Sequence, residues 1–325
     1  YAFQCRGLRE IDRAPGIVRR FLCKACGRTF SSSAFFDCYR RRRPGIPEAV
    51  FRGYCEGQSG RQIARTTGLG LKYVQLLLRW IARQGLLFHL DQLSHLEGDL
   101  LEAVVFDGLR TFAGSQWEPG DLNTAVAADS LFWLDVDYVG RRRGGRMTPR
   151  QKEIDAERVA RLGKPPRGIA TRKVREALER LARLRPKGMP LELFTDEDQP
   201  TAHAVQQLRG RLPIRHHTIS SKVWRELPHH PLWPVNHEHR LVRHGTKNHT
   251  RETIAFSKTA AGLMDRALVY MVWRNNVKGV SERRPELSRV TPAMKLGLET
   301  RPLRMEEIFH RRLFPLRQQM PPVFW

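Results

Sequence analysis

Acidic residues are scarce in this chain. Against 57 Lys and Arg stand only 33 Asp and Glu in 325 residues, which leaves a formal net charge of +24 and a pI near 10.9. That shortage excludes a charge-balanced surface and creates a field that attracts polyphosphate. Long apolar runs are missing as well. None reaches the roughly 20 residues that cross a bilayer, and no amphipathic anchor or secretory signal is read, so a soluble, cytoplasmic protein with no membrane partner is expected. Cysteine is sparse and odd in number, five residues, which speaks against a disulfide framework. Hydrophobic residues, at 41%, are not in short supply and suffice for a buried core in two or three domains.

Four of the five cysteines fall early, at Cys5, Cys23, Cys26 and Cys38. Two thiolates separated by two residues can grip one tetrahedral ion, and the Gly27 that follows lets backbone amides approach the sulfurs, so Cys23-Lys24-Ala25-Cys26-Gly27 reads as half of a zinc ribbon. Cys5 has a spacing suited to the opposite knuckle. Ala2 stands where its partner belongs, and the fourth ligand is either Cys38 or a residue preceding Tyr1. Residues 1–43 also carry eleven Lys or Arg and three acids, peaking at Arg40, Arg41, Arg42 and Arg43, a candidate phosphate-contacting arm. Residues 1–44 are therefore expected to form a zinc ribbon with a basic arm.

Residues 45–88 predict three short helices: Pro47 to about Cys55, then Arg61 to Arg65, then Leu71 to Arg83 after the Thr67-Gly68-Leu69-Gly70 turn. Short helices, a glycine turn and a basic last helix match a helix-turn-helix. Lys72, Gln75 and Arg79 are its candidates for contacting DNA, Cys55 is a core residue, and a linker is expected at His89 to Asp99.

Residues 100–280 read as a mixed α/β unit. Strands are expected at Ala103 to Phe112, Thr124 to Asp129 and Leu131 to Val139, a helical region at Thr148 to Leu184 broken by Pro165-Pro166, and a returning strand at Leu191 to Thr195. A meander, a helix and a returning strand is the order of a ribonuclease-H-like mixed sheet. Ser257 to Val277 predicts an amphipathic helix with Leu263, Ala267 and Met271 inward and Lys258, Arg266 and Arg274 outside. Residues 281–325 form a tail with apolar anchors such as Leu303, Ile308, Phe309, Leu313 and Phe314.

Three acids stand out within this basic chain. Asp107 and Asp196 end apolar strands, and Glu238 sits in Asn236-His237-Glu238-His239-Arg240, ahead of Arg243, Lys247 and Arg251. Separated carboxylates suit Mg²⁺ or Mn²⁺, which neutralise an attacked phosphate while Lys and Arg hold the rest of a nucleic acid. Asp198 is the substitute ligand should the strand end later. Asp135 and Asp137 are read as solvent-facing, and His237 and His239 as polar or phosphate-contacting neighbours of Glu238.

In order along the chain, Cys23 to Ser31, Gly57-Gln58-Ser59-Gly60-Arg61-Gln62-Ile63-Ala64, Phe194-Thr195-Asp196 and Arg251-Glu252-Thr253-Ile254-Ala255-Phe256-Ser257-Lys258 resemble bacterial insertion-sequence transposases of the Asp-Asp-Glu (DDE) type. The resemblance runs from Cys5 to about Asn276 and departs at Ala2 and at Glu252, where Lys or Arg is usual. It implies that Asp107, Asp196 and Glu238 form a catalytic magnesium triad, and that the protein binds its element's ends and transfers strands into target DNA. It also implies nucleoid association and assembly as a dimer or larger on double-stranded DNA. Arg240, Arg243, Lys247 and Arg251 are expected to hold phosphates. A catalytically silent DNA-binding regulator and a structure-specific nuclease without joining activity are the alternatives.

Overall fold

The computed structural model describes residues 2–12, 16–35, 45–220, 229–250 and 253–310. An antiparallel three-stranded sheet comes first: β1 (Phe3–Glu10), β2 (Ile17–Cys23) and β3 (Thr29–Ser31). Phe3, Phe21, Phe30 and Phe35 cluster on it edge to face or stacked, a compact aromatic filling for a sheet too small to build an aliphatic core.

Helices α1 (Ile46–Cys55), α2 (Gly60–Thr67) and α3 (Leu71–Leu96) follow. A capping box starts α2: Ser59 Oγ accepts from the Gln62 amide, and the Gln62 side chain accepts from the Ser59 amide. Gly68, at φ 68°, ends α2 in the left-handed conformation that a residue with a Cβ adopts at a cost. The structure corrects one expectation here. Helix α3 does not stop at Arg83 but runs on through the residues expected to be a linker, because Leu86, Leu87 and Leu96 continue its buried stripe.

The central sheet has the order β6-β5-β4-β7-β8, formed by β4 (Val104–Phe112), β5 (Pro119–Ala127), β6 (Trp133–Gly140), β7 (Leu191–Thr195) and β8 (Ile214–Thr218). β4, β5 and β6 form an antiparallel meander, while β7 and β8 run parallel to β4. Helices α4 (Pro149–Leu162) and α5 (Ile169–Leu184) make the crossover, and α6 (Gln199–Leu208) joins β7 to β8. This order is compatible with a ribonuclease-H-like core. β8 and α6 escaped the sequence reading, since Ile214-Arg-His-His-Thr218 has no apolar alternation to announce a strand.

Both faces of the sheet are covered, which is why β5 is buried along almost its whole length. On one face, α5 presents Val174, Ala177, Leu178, Leu181 and Leu184 at helical spacing to Val104, Phe106, Ala125 and Leu193. On the other, Val105, Leu109, Leu122, Val126 and Trp133 meet α3, α7 (Trp233–Gly245) and α8 (Ala260–Asn276). Gly85 of α3 marks a close approach to α8: a Cβ there would stand 3.1 Å from Val272 Cγ2. Two short helices, α9 (Pro292–Lys295) and α10 (Met305–His310), close the described chain. Phe309 of α10 packs edge to face on Phe51 and Trp80. Leu313 and Phe314 lie outside the described residues. Among those residues, no helix is long and apolar enough to cross a membrane.

Two further corrections concern charge. Asp135 and Asp137 do not face solvent: they point at α5, where Arg180 and Lys173, seven residues apart on one helix face, take them at 2.6 and 3.1 Å. Arg274 is not on the outside of α8 but wholly buried.

Candidate active site and nucleic-acid interface

Asp107 and Asp196 are placed by the parallel ladder. Val105 of β4 pairs with Phe194 of β7, and both belong to the α7 and α8 side of the sheet. Side chains alternate along a strand, so Asp107, two residues on from Val105 within β4, shares that face, while Asp196 is the first residue after β7. The position is the carboxyl end of β7, where the sheet passes from its antiparallel to its parallel half, the usual place for a ligand crevice in an open α/β sheet. Asp107 Oδ1 accepts from the Gly108 amide at 2.7 Å, and Asp196 Oδ1 from the Asp198 amide at 3.1 Å.

Glu238 is not brought to them. It is fully buried on α7, and the equally buried Arg274 donates to it through Nε at 3.0 and 3.1 Å and through Nη2 at 2.8 Å. Trp133 Nε1 donates to its Oε2 at 2.9 Å, and Arg274 Nη1 donates to the Gly279 carbonyl at 3.1 Å. Every charge in this pair is matched and hydrogen-bonded, the condition under which an ion pair tolerates burial. Asp107 does not end its strand, since β4 runs on to Phe112, so the expected three-carboxylate site is one aspartate within β4, one just past β7, and a glutamate committed to an arginine 36 residues further along. Asp107 and Asp196 carry the oxygen donors a hard divalent cation takes. Glu238 would have to abandon Arg274 to join them. Among the described residues, no three His, Cys, Asp or Glu side chains converge closely enough to hold a metal ion.

His239 is the α7 residue that does reach β4, with Nδ1 3.8 Å from Asp107 Oδ2. Burial, with Arg243 and His249 nearby, pushes its pKa down to about 3, so the ring is neutral. His249 is pushed to about 3 for the same main reason, with Arg266 and Arg243 contributing, and its Nδ1 lies 3.4 Å from Thr111 Oγ1. Sequence reasoning took His239 for a neighbour of Glu238. The buried stripe of Val235, Glu238, His239 and Val242 marks the inward face of α7 but does not tell Glu238 from His239. Asp198 is paired with Arg141 at 3.7 Å and accepts from Thr201 Oγ1 at 3.3 Å, so it is already engaged.

The basic candidates lie on α7, just beyond it and on α3. Arg240 and Lys247 are exposed, and Arg243 donates to the Arg110 carbonyl at 3.4 Å. Lys72, Gln75 and Arg79 lie on the exposed side of α3, where Arg79 also meets Asp265 of α8 at 3.5 Å. Cys55 is buried in the core, as expected. In the small sheet, amide hydrogen bonds from Cys26 and Ala25 hold the Cys23 thiol below its ordinary pKa. Cys5 lies on β1 opposite Phe21, next to the Phe3 and Cys23 pair. Arg40, Arg41, Arg42, Arg43, Cys38 and Arg251 fall outside the described residues.

No protein-family model matches the chain, and no curated protein does. Among solved structures, a cryo-EM structure of a simian T-cell lymphotropic virus intasome in complex with the PP2A regulatory subunit B56 gamma is similar over 70% of this chain, at 16% identity and a TM-score of 0.22. The match spans 62% of that structure's chain. The fold assignment rests on the strand order itself.

Proposed function

We propose that the chain is a DNA transposase that binds the ends of its insertion sequence, cleaves strands there and joins them to target DNA. The observation that supports this best is the parallel pairing of β4, which contains Asp107, with β7, which leads into Asp196, on a protein of net charge +24. Asp107 and Asp196 would hold Mg²⁺ or Mn²⁺. Such an ion, when bound, neutralises phosphate charge and makes water or a DNA 3′-hydroxyl a better nucleophile. Arg240, Arg243 and Lys247, with Arg251, grip the strand's phosphates and keep the scissile bond over the two aspartates, since Arg forks match phosphate oxygens. Glu238 is left out of the cation set because its carboxylate neutralises Arg274.

In this reading α2 and α3 act as a helix-turn-helix, with Lys72, Gln75 and Arg79 in a DNA groove. Replacing Lys72 or Arg79 by Ala should weaken binding across sequences alike and reduce the slope of log affinity against log salt by about 1, as fluorescence anisotropy at several salt concentrations would show. The Cys23 and Cys26 knuckle, joined by Cys5, would hold a structural zinc. Cys23→Ser should then lower zinc content, read by elemental analysis, and lower the melting temperature. If zinc content does not change, the ribbon is not a zinc site. Two DNA ends must be held together, so a dimer or larger species on end DNA is expected, which light scattering of the complex checks. Such a partner places the protein in the cytoplasm, on the nucleoid.

One observation favours a second reading, a DNA-binding regulator without catalysis: the sequestration of Glu238. A product assay with element-end DNA and Mg²⁺ or Mn²⁺ separates the possibilities. Covalent joints to target DNA support the transposase. Cut ends alone point to a nuclease, and binding without any cut points to the regulator.

A further inference from the structure

We propose that the outward side of α3 reads an A·T base pair in the DNA major groove, with Gln75 taking the adenine edge and Leu76 covering the thymine 5-methyl group. This rests on the helix-turn-helix reading of α2 and α3 given above.

From Gly57 to Leu90 the chain has no Asp or Glu, while Arg61, Arg65, Lys72, Arg79 and Arg83 supply five cations. All five are exposed. A surface without acids suits a polyanion. Arg61 and Arg65, one turn apart on α2, are placed for a phosphate backbone while α3 enters the groove, the division of labour of a helix-turn-helix.

An apolar pair interrupts this basic surface. At about 100° per residue, Lys72, Leu76, Arg79 and Arg83 fall along one line of α3, opposite the buried Val74, Leu77, Leu78 and Ile81. Leu76 is 51% exposed, and Tyr73, three residues before it and so its neighbour on the helix surface, is 42% exposed. A lone leucine on a surface calls for no explanation. This one lies beside an aromatic ring, with a cation one turn away on either side. Such a patch fits a partner that is apolar at its centre and anionic at its rim. The major groove over an A·T pair is that kind of surface, since the thymine methyl lies on its floor and phosphates form its walls.

Gln75 supplies the other half of the reading. It is exposed and leaves α3 about 100° around from Leu76, so the two diverge to either side of the line through Lys72. Along the groove edge of an A·T pair, the adenine N7 acceptor and N6 donor come at one side and the thymine methyl at the other. The Gln75 carboxamide donates to N7 and accepts from N6, and Leu76 covers the methyl group. Lys72 and Arg79, a turn to either side, reach the flanking phosphates. An inverted T·A pair would set the methyl against the carboxamide and is disfavoured.

The test uses the full chain and a pool of duplexes with a randomised centre, from which bound sequences are selected and then made singly. The parent should enrich an A·T pair at a fixed position. Replacing that thymine by deoxyuridine removes only the 5-methyl group and should weaken binding about four-fold, the effect of one buried methyl group. Leu76→Ala should bind the thymine and deoxyuridine duplexes alike. Gln75→Ala should lose about 10-fold or more of the preference for A·T over G·C. Circular dichroism checks folding, and Leu76→Gln is read in place of Leu76→Ala if the latter proves unfolded. The proposal is overturned if the parent enriches no A·T pair, or if no thymine of the selected site responds to deoxyuridine. It is overturned as well if the folded Leu76 variant discriminates as the parent does, and the apolar pair then belongs to a protein contact. Failure of the underlying reading has a different signature: Lys72→Ala then binds DNA with the parent's affinity and salt slope, or the parent binds no duplex DNA.

Discussion

Glu238→Gln and Arg274→Met, made singly, should each destabilise the protein by about 3–5 kcal/mol, because each leaves the other buried charge without its counterion. Both side chains are 0% exposed, and the pair links α7 to α8 while Trp133 of β6 ties into the same carboxylate. A loss of that size is a large part of the roughly 5–15 kcal/mol that holds a domain together. It should appear as a fall in melting temperature on the order of 10 °C. The Glu238→Met and Arg274→Leu double variant should recover much of the loss, since an apolar pair of similar volume often replaces a buried ion pair without net cost. Thermal denaturation of the three variants measures the coupling. If the single substitutions melt like the parent, the carboxylate is not holding the arginine, and Glu238 regains its claim on a cation.

Asp107→Asn and Asp196→Asn should each reduce strand cleavage and joining by about 1000-fold or more, the equivalent of roughly 4 kcal/mol of lost phosphate charge neutralisation. DNA affinity should fall little, because the basic residues proposed to carry it, Lys72, Arg79, Arg240 and Lys247, are exposed and lie on elements other than β4 and β7. A gel that resolves cut from joined products, run beside a binding titration, separates the two effects. Were Asp196→Asn fully active, the Asp107 and Asp196 pair would not be the reacting site. Asp198, held by Arg141, would then be the next residue to replace.

Much of the sheet could be read from the chain because its strands carry local signals. Val104-Val105-Phe106 is apolar and Leu191 to Thr195 alternates its apolar residues, and the first opens β4 while the second is β7. The break at Pro165 and Pro166 falls between α4 and α5, where proline chemistry puts it. Legibility ended where partners are distant in sequence. Arg274 has the residue type and helical position of a surface charge, and only the arrival of Glu238 from α7 explains its burial. The same holds for Asp135 and Asp137, whose partners Arg180 and Lys173 lie on α5, in the crossover that follows β6. β8 was missed because its hydrogen bonds go to β7 while its sequence, with two histidines and an arginine, is polar. In the site, Asp196 follows a strand end as expected, Asp107 instead lies within β4, and no periodicity says which of two consecutive residues on α7 turns toward it.

Helix α3 spans 26 residues, and α1, α2 and α3 bury Val50, Phe51, Ile63, Val74, Leu77 and Leu78 in the same cluster as residues of α8 and β4. The helices proposed to read DNA therefore have no oil of their own. Cutting the chain anywhere between residues 83 and 96 would sever a continuous rod and strip apolar surface from both pieces. Recognition in such an architecture is not a cartridge that recombination can exchange between relatives, because a new reading helix must also fit Val272 opposite Gly85. Changes of target sequence should accumulate on the outward side of α3, around Lys72, Gln75 and Leu76, while its inward side changes only in step with α8.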